Sequence, residues 1–423
     1  MPRGTGVAVY GASLAAVLAQ AGHRIEGVFG LNAGAKAQTR EVLFHDHFGQ
    51  GHRVSQKEIE RKVTRSVIFN HLARKLRSVP LTGKIDTRSL GFRMPAFDAI
   101  WTSPYLYEVA YARFKYLGLF TTVILPDPPE VMHWTYPIPV RLAGARNIYT
   151  VHDLVPLRLP QTTLDDKRYY YRLVAKCLRV ADHICTVSEA SRADIHSLFS
   201  IDPDKVTNTY QSSPVPPQVL ASTPEADAAI AKDMFGLKHR DFYLFFGALD
   251  PKKNIERIIE GFLTSQSKAQ LVIVSARDWG MSGESRVFSG EGKVFGRRFG
   301  RRILLLDYLP RPTLFRLIRS ARAVLFPSLY EGFGLPALEA IQLGTPVISS
   351  RTSSLPEVVG EAGLLVDPYR SNEIADAIRA LENDDGLYAR LQASGPTQAA
   401  KFSDDAYRQR LDAMYRQVCA PVK

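Results

Sequence analysis

Short apolar runs alternate along this chain with stretches whose apolar positions recur every three or four residues. That is the pattern of strands separated by amphipathic helices. Asn147 to Val151 and His183 to Val187 read as buried strands, and the second runs into Ser188, a helix cap, before the helical stretch Glu189 to Phe199. Val206 to Tyr210 is a further short strand. Proline and serine then accumulate over Ser212-Ser-Pro-Val-Pro-Pro217 and Ser222-Thr-Pro224, which marks a linker. Beyond it the rhythm restarts, with strands predicted at Tyr243–Phe246, Leu271–Val274, Ile303–Leu306, Ala323–Phe326 and Val347–Ser349. Such alternation predicts parallel sheets covered on both faces, hence an α/β chain of two doubly wound domains with a cleft between them. The predicted domains are 1–215 and 216–400, followed by a tail, 401–423, holding a last helix over Asp404 to Val418.

A length of 423 residues agrees with more than one core. Hydrophobic content of 45% and charged content of 23% are those of a globular protein. Cys177, Cys185 and Cys419 show no CxxC spacing and read as small apolar residues in a reducing compartment. The net charge of +12 favours an acidic partner: nucleic acid, anionic lipid or a nucleotide sugar. Basic residues concentrate between His52 and Arg93, where Val63, Val67, Ile68, His71, Leu72 and Leu76 form a rough helical apolar stripe. Such a helix either lies on an anionic membrane surface or packs its stripe on the core. No apolar run reaches the ~20 residues needed to cross a bilayer. Val7 to Ala21 imitates a signal peptide, yet Val9, Leu14, Val17 and Leu18 suit an ordinary buried helix. We therefore expect a cytoplasmic protein.

The chemistry concentrates in residues 326–350. An apolar strand ending at Phe326 leads into a turn containing Gly332 and Gly334, then into a helix predicted to begin at Pro336. The amides of Phe333, Gly334 and Leu335 lie at the positive end of that helix and suit a phosphate. Glu331 and Glu339 bracket the turn. Upstream, Lys252 and Lys253 precede the helix Ile255–Phe262, where cations are mildly unfavourable unless they serve a ligand. Such a device would hold a sugar joined to a nucleotide diphosphate.

These residues carry a resemblance. Glu331 and Glu339 form the E-x7-E signature of the retaining glycosyltransferases of family 4, which have the two-domain GT-B fold. Gly247-Ala-Leu-Asp-Pro-Lys252-Lys253-Asn254 resembles that family's phosphate-binding loop. Thr150-Val-His152-Asp153-Leu-Val-Pro156 resembles its sugar-contacting loop, and Arg3-Gly4-Thr5-Gly6 its N-terminal glycine loop. All four occur in the family's order. The family usually opens on a strand that leads into the glycine loop. None precedes Gly4 here, so the start lies upstream or this sheet lacks its first strand.

The resemblance implies roles. Lys253, helped by Lys252 and the amides of Phe333, Gly334 and Leu335, would neutralise the leaving diphosphate. Glu339 would accept the donor ribose hydroxyls, and Glu331 would face the transferred sugar's hydroxyls or hold the pocket together. His152 would sit near the reacting carbon. Asp153 would line the same crevice or cap the following turn, and Gly4 and Gly6 would let the backbone approach the donor and acceptor closely. Metal independence is implied too. His45-Asp-His47 has no third ligand near it and reads as structure or acceptor contact. Met132-His133-Trp134-Thr-Tyr136 would stack on sugar rings or pack in the core. Lys293, Arg297, Arg298, Arg301 and Arg302 read as a solvated loop.

Retention would follow from attack on the face that the diphosphate vacates. Together with Thr352-Ser-Ser-Leu-Pro356-Glu357, these stretches resemble bacterial exopolysaccharide mannosyltransferases. They imply GDP-mannose as donor and a lipid-linked or polysaccharide acceptor, with a UDP-sugar as the alternative. Two readings from other classes have less in the sequence. A non-catalytic nucleic-acid binder rests on charge alone. A nicotinamide oxidoreductase lacks the strand–GxGxxG–helix unit.

Overall fold

The computed structural model describes residues 6–34, 36–50, 73–86, 94–275, 297–299, 302–307 and 309–420. The chain enters on α1 (Gly6–Gln20), whose buried face carries Tyr10, Leu14 and Val17. The stretch that imitates a leader is thus a packed helix. Then follow β1 (Glu26–Phe29), α2 (Ala37–Gln50), β2 (Arg74–Lys75), β3 (Arg77–Val79), β4 (Ala99–Thr102) and α3 (Leu106–Leu117). Next come β5 (Thr121–Ile124), β6 (Val131–Trp134), β7 (Val140–Leu142), β8 (Arg146–Val151) and α4 (Lys167–Val180). The first lobe ends with β9 (His183–Thr186), α5 (Glu189–Leu198) and β10 (Val206–Asn208).

Its strands group as β10-β9-β8-β6, β2-β5-β7 and β1-β4-β3, all parallel except for the antiparallel pair β3–β4. The expected helical stripe is corrected at its end. Lys75 and Arg77 are exposed while Leu76 is buried between them, a period-two pattern that suits a strand, and residues 74–79 are extended. Residues 51–72 and 87–93 of the basic stretch lie outside the described residues, as do Gly4, Lys293 and Arg301.

After the linker come α6 (Pro224–Phe235), β11 (Phe242–Phe246), α7 (Ile255–Thr264), β12 (Gln270–Val274), β13 (Arg297–Phe299), β14 (Ile303–Leu306) and α8 (Arg311–Ser320). The second lobe is completed by β15 (Ala323–Phe326), α9 (Leu335–Gln342), β16 (Val347–Ser350), α10 (Leu355–Val359), β17 (Gly363–Val366), α11 (Ser371–Asn383) and α12 (Asp385–Ala400). One sheet, ordered β13-β14-β12-β11-β15-β16-β17, runs through it, and β11, β15 and β16 are buried along their whole length. Strands covered on both faces read as unbroken apolar runs, which is why the sequence placed them to within a residue. The chain builds outward from β11 to β12 and β14, then returns to lay β15 on the other side of β11. That reversal leaves a crevice at the C-terminal ends of β11 and β15.

The last helix, α13 (Asp404–Cys419), lies against α1 of the first lobe. Tyr407 and Tyr10 have ring centroids 6.5 Å apart, and the Tyr415 hydroxyl is 2.7 Å from His133 Nδ1. Trp134 is core: its indole N–H donates to Asn147 Oδ1 at 3.0 Å, and its ring stacks on Tyr149.

Candidate active site

The crevice between β11 and β15 is lined by two loops. The first, after β11, ends in a 3-10 turn (Pro251–Lys253) that delivers both lysines. Asn254 closes that turn in the left-handed region (φ 64°), and its amide donates to the carbonyls of Pro327 and Pro368. The turn is therefore pinned to the end of β15. Lys253 Nζ lies 2.6 Å from Glu331 Oε1 and 4.7 Å from the centroid of Phe326. Glu331 is buried and Lys253 nearly so, with side chains 8% and 13% exposed. Such a pair loses solvation on both sides and adds little net stability, so its place at the reversal of the sheet points to chemistry. Burial pushes the Glu331 carboxyl up, but Lys253 and Lys252 outweigh it and hold the pKa below the ordinary 4.5. Lys252 is the mirror case. Burial disfavours its charge, yet Glu331, Asp153 and Asp250 raise its pKa overall.

The second loop, after β15, is built by serines. Ser353 Oγ accepts from the Glu331 amide at 3.0 Å, and Ser354 Oγ donates to the carbonyls of Glu331 and Phe333 at 3.0 and 2.8 Å. Gly334 caps α9 with φ 108°, and a Cβ there would stand 2.6 Å from Leu355 Cδ2. The helix begins at Leu335, with Pro336 second, one residue earlier than the proline predicts. Its first amides have no intrahelical partner and face the crevice end of the sheet. The Phe333 ring packs on Phe402, centroids 5.4 Å apart, which leaves only its backbone for a ligand.

The first lobe meets this turn at the end of β8. A Cβ on Gly332 would lie 2.5 Å from the His152 carbonyl oxygen and 3.1 Å from Asp153 Cβ, so the two loops touch backbone to backbone. His152 Nε2 is 2.8 Å from the Thr135 carbonyl, which fixes the proton on Nε2 and leaves Nδ1 the lone pair. Burial lowers the His152 pKa, so the ring is neutral. Its ring stands edge-on to Tyr10, centroids 4.7 Å apart. Asp153 Oδ1 accepts from the Val155 amide at 3.1 Å, capping the turn that follows. Gly6 opens α1 with its Cβ position 3.9 Å from Leu335 Cδ1, beside the start of α9.

Glu339, one turn into α9, is 5% exposed. Arg311 Nη2 and Ser213 Oγ both reach its Oε1, at 2.9 and 3.0 Å. Burial raises the Glu339 pKa, and Arg311 and Ser213 oppose it. The structure brings His152, Asp153, Lys252, Lys253, Glu331, Gly334 and Leu335, all singled out in the sequence, to the ends of the strands around one crevice. Sequence reading missed Arg311, Ser213, Ser353, Ser354 and Ser191, whose Oγ donates to the His152 carbonyl at 2.7 Å. Ser191 carries a local signal, since Ser188 caps its helix. Arg311 has none, because it meets Glu339 only through tertiary packing. His45 and His47 lie on α2, and no metal-binding cluster occurs among the described residues.

Two lobes of mainly parallel strands, meeting at a crevice that brings together a part-buried lysine, a carboxylate and a helix start, define a GT-B glycosyltransferase. The description "Glycosyl transferases group 1" matches residues 231–398, and "Glycosyltransferase Family 4" matches residues 102–210. The O-antigen chain mannosyltransferase B of Escherichia coli is 33% identical over 271 residues, covering 63% of this chain and 68% of that protein. The chain belongs to the group 1, family 4 glycosyltransferases, among relatives named as O-antigen mannosyltransferases. The serotype-specific mannosyltransferase WbdA of the same organism is 28% identical over 276 residues, 64% of this chain but only 33% of WbdA. Among solved structures, Anabaena Alr3699/HepE with UDP and glucose aligns over 93% of this chain and 99% of its own, with TM-score 0.60 and 15% identity, a likeness of fold. The chain is thus an enzyme, and the non-catalytic reading of its charge is set aside. Among the described residues no helix is long and apolar enough to cross a membrane.

Proposed function

We propose that the enzyme transfers mannose from GDP-mannose, with retention, to a lipid-linked or polysaccharide acceptor in cell-surface glycan assembly. Relatives at 33% and 28% identity carry mannosyltransferase names, which supports the sugar. The observation that carries the reading is the Lys253–Glu331 pair at the reversal of the sheet. When the donor enters, Lys253 turns its charge to the diphosphate, and Glu331 is released to the sugar hydroxyls. The bond from the sugar's anomeric carbon to the diphosphate oxygen breaks. The acceptor oxygen bonds to that carbon on the same face, and its proton passes to the leaving phosphate. Lys253, Lys252 and the first amides of α9 meet the growing phosphate charge, so no metal is required. His152 presents a neutral ring, which adds no positive charge beside a carbon that is itself becoming cationic.

The net charge of +12 and the nature of the acceptor support a cytoplasmic enzyme held at the inner face of the plasma membrane. A thermal-shift panel of GDP, UDP and their sugars, run with and without EDTA, tests the reading. One nucleotide should stabilise the protein in EDTA, and Lys253→Ala and Glu339→Ala should each abolish the shift. Stabilisation by UDP-sugars alone would replace the donor, and no response to any nucleotide would overturn the reading.

A further inference from the structure

Glu339 is held asymmetrically. Arg311 from the start of α8 and Ser213 from the linker both engage Oε1, and among the described residues none reaches Oε2. Arg311 lies at the crevice end of the sheet, one loop beyond β14, with its guanidinium 4.8 Å from the Phe315 centroid and its side chain 29% exposed. The contact with the Phe315 ring steadies the guanidinium, and the ion pair holds the carboxylate that it meets. A carboxylate pinned through one oxygen presents the other in a set direction.

We infer that Arg311 is a positioning residue for the donor: it holds Glu339 through Oε1 so that Oε2 accepts the vicinal hydroxyls of the nucleotide's ribose. The inference rests on the proposed function, in which Glu339 meets the ribose, and adds the group that aims it. Two consequences follow from the geometry. Binding gains from Arg311 only where the ligand has both ribose hydroxyls. The carboxylate must also be charged to accept from them, and it is buried with Arg311 as the cation and Ser213 as the hydroxyl that face it among the described residues. Without Arg311 that charge is harder to hold, so affinity should return as the pH rises.

The test is calorimetric titration of GDP, UDP and their 2′-deoxy forms into wild type, Arg311→Met, Arg311→Lys and Glu339→Gln, from pH 6 to pH 8.5. Wild type should bind one ribonucleotide with nearly constant affinity over that range. Arg311→Met should bind it at least about tenfold more weakly at pH 6 and recover part of the loss by pH 8.5, a free-energy difference of about 1.4 kcal/mol per tenfold. Arg311→Lys should restore most of the affinity, and the loss in Arg311→Met should shrink for the 2′-deoxynucleotide. Equal losses for both sugars at every pH would mark Arg311 as structural and overturn the inference, as would unchanged binding in Arg311→Met. If wild type binds neither nucleotide, the donor reading itself falls and this inference with it.

Discussion

Glu357 of the second lobe closes the start of a helix in the first: its Oε1 accepts from the Ala190 amide at 3.1 Å. Its other oxygen accepts from the Glu189 amide at 3.0 Å and from the Tyr210 hydroxyl at 3.0 Å. A carboxylate at the head of α5 meets unpartnered amides and the positive end of the helix dipole. Tyr330 and Asp194 form a second hydrogen bond across the lobes, and Arg158 pairs with the same aspartate.

Glu357→Gln should therefore loosen the lobes. An amide can accept from one of these donors but sets its own N–H against another, at a cost of about 1–3 kcal/mol. The thermal midpoint should fall by several degrees, and small-angle scattering should show a larger radius of gyration without ligand. An unchanged radius would show that the lobes are held elsewhere.

Lys253→Ala should lower kcat by about 10²–10³-fold, the usual effect of removing one group that meets transition-state charge. It also strands Glu331, a buried carboxylate, and so should destabilise the fold. Lys253→Met combined with Glu331→Gln removes both charges and should recover stability without recovering turnover. Recovery of both would place the chemistry elsewhere.

The pH dependence of stability has a worked sign. Glu331 has a folded pKa below its ordinary 4.5, so its contribution is full above 4.5 and is lost as the pH falls through the lower folded value. His133 is buried between Thr150 and Tyr415, which pushes it down to about 3 from 6.5. Its contribution is full above pH 6.5 and is lost progressively as the pH falls towards 3. Thermal midpoints measured from pH 7 to pH 5 should thus decline, and His133→Gln should decline less steeply. The deficit of Glu331→Gln relative to wild type should be constant above about pH 4.5 and shrink as the pH falls below it.

Gly332→Ala tests the contact between the lobes. Its φ needs no glycine, but the added methyl would sit 2.5 Å from a carbonyl oxygen of the first lobe. Backbone cannot yield as a side-chain tip does, so the cost should be about 1–3 kcal/mol and activity should fall sharply. Full activity in this variant would mean that the lobes work farther apart than they stand here.

Much of the fold was readable because parallel strands buried on both faces leave unbroken apolar runs, as at Tyr243–Phe246 and Ala323–Phe326. The helix starts were readable through their caps, with Ser188 accepting from the Ser191 amide as its sequence context predicts. The extended stretch around Leu76 was misread because three alternating residues among many basic ones resemble one turn of a helix. Glu339 was found by its spacing from Glu331, whereas Arg311 was not, since twenty-eight residues, with a whole strand among them, separate the partners. Glu357 was noticed as part of a stretch, not as a cap, because the amides that it serves belong to another lobe.

The chain passes between the lobes twice, once through the serine-rich linker near Ser212 and again where α13 returns to α1. Two crossings act as a pair of pins, like those of a door. They leave rotation about the line between them as the easy motion and resist sliding or twisting. A donor bound to the second lobe would therefore be carried towards the acceptor along a fixed arc.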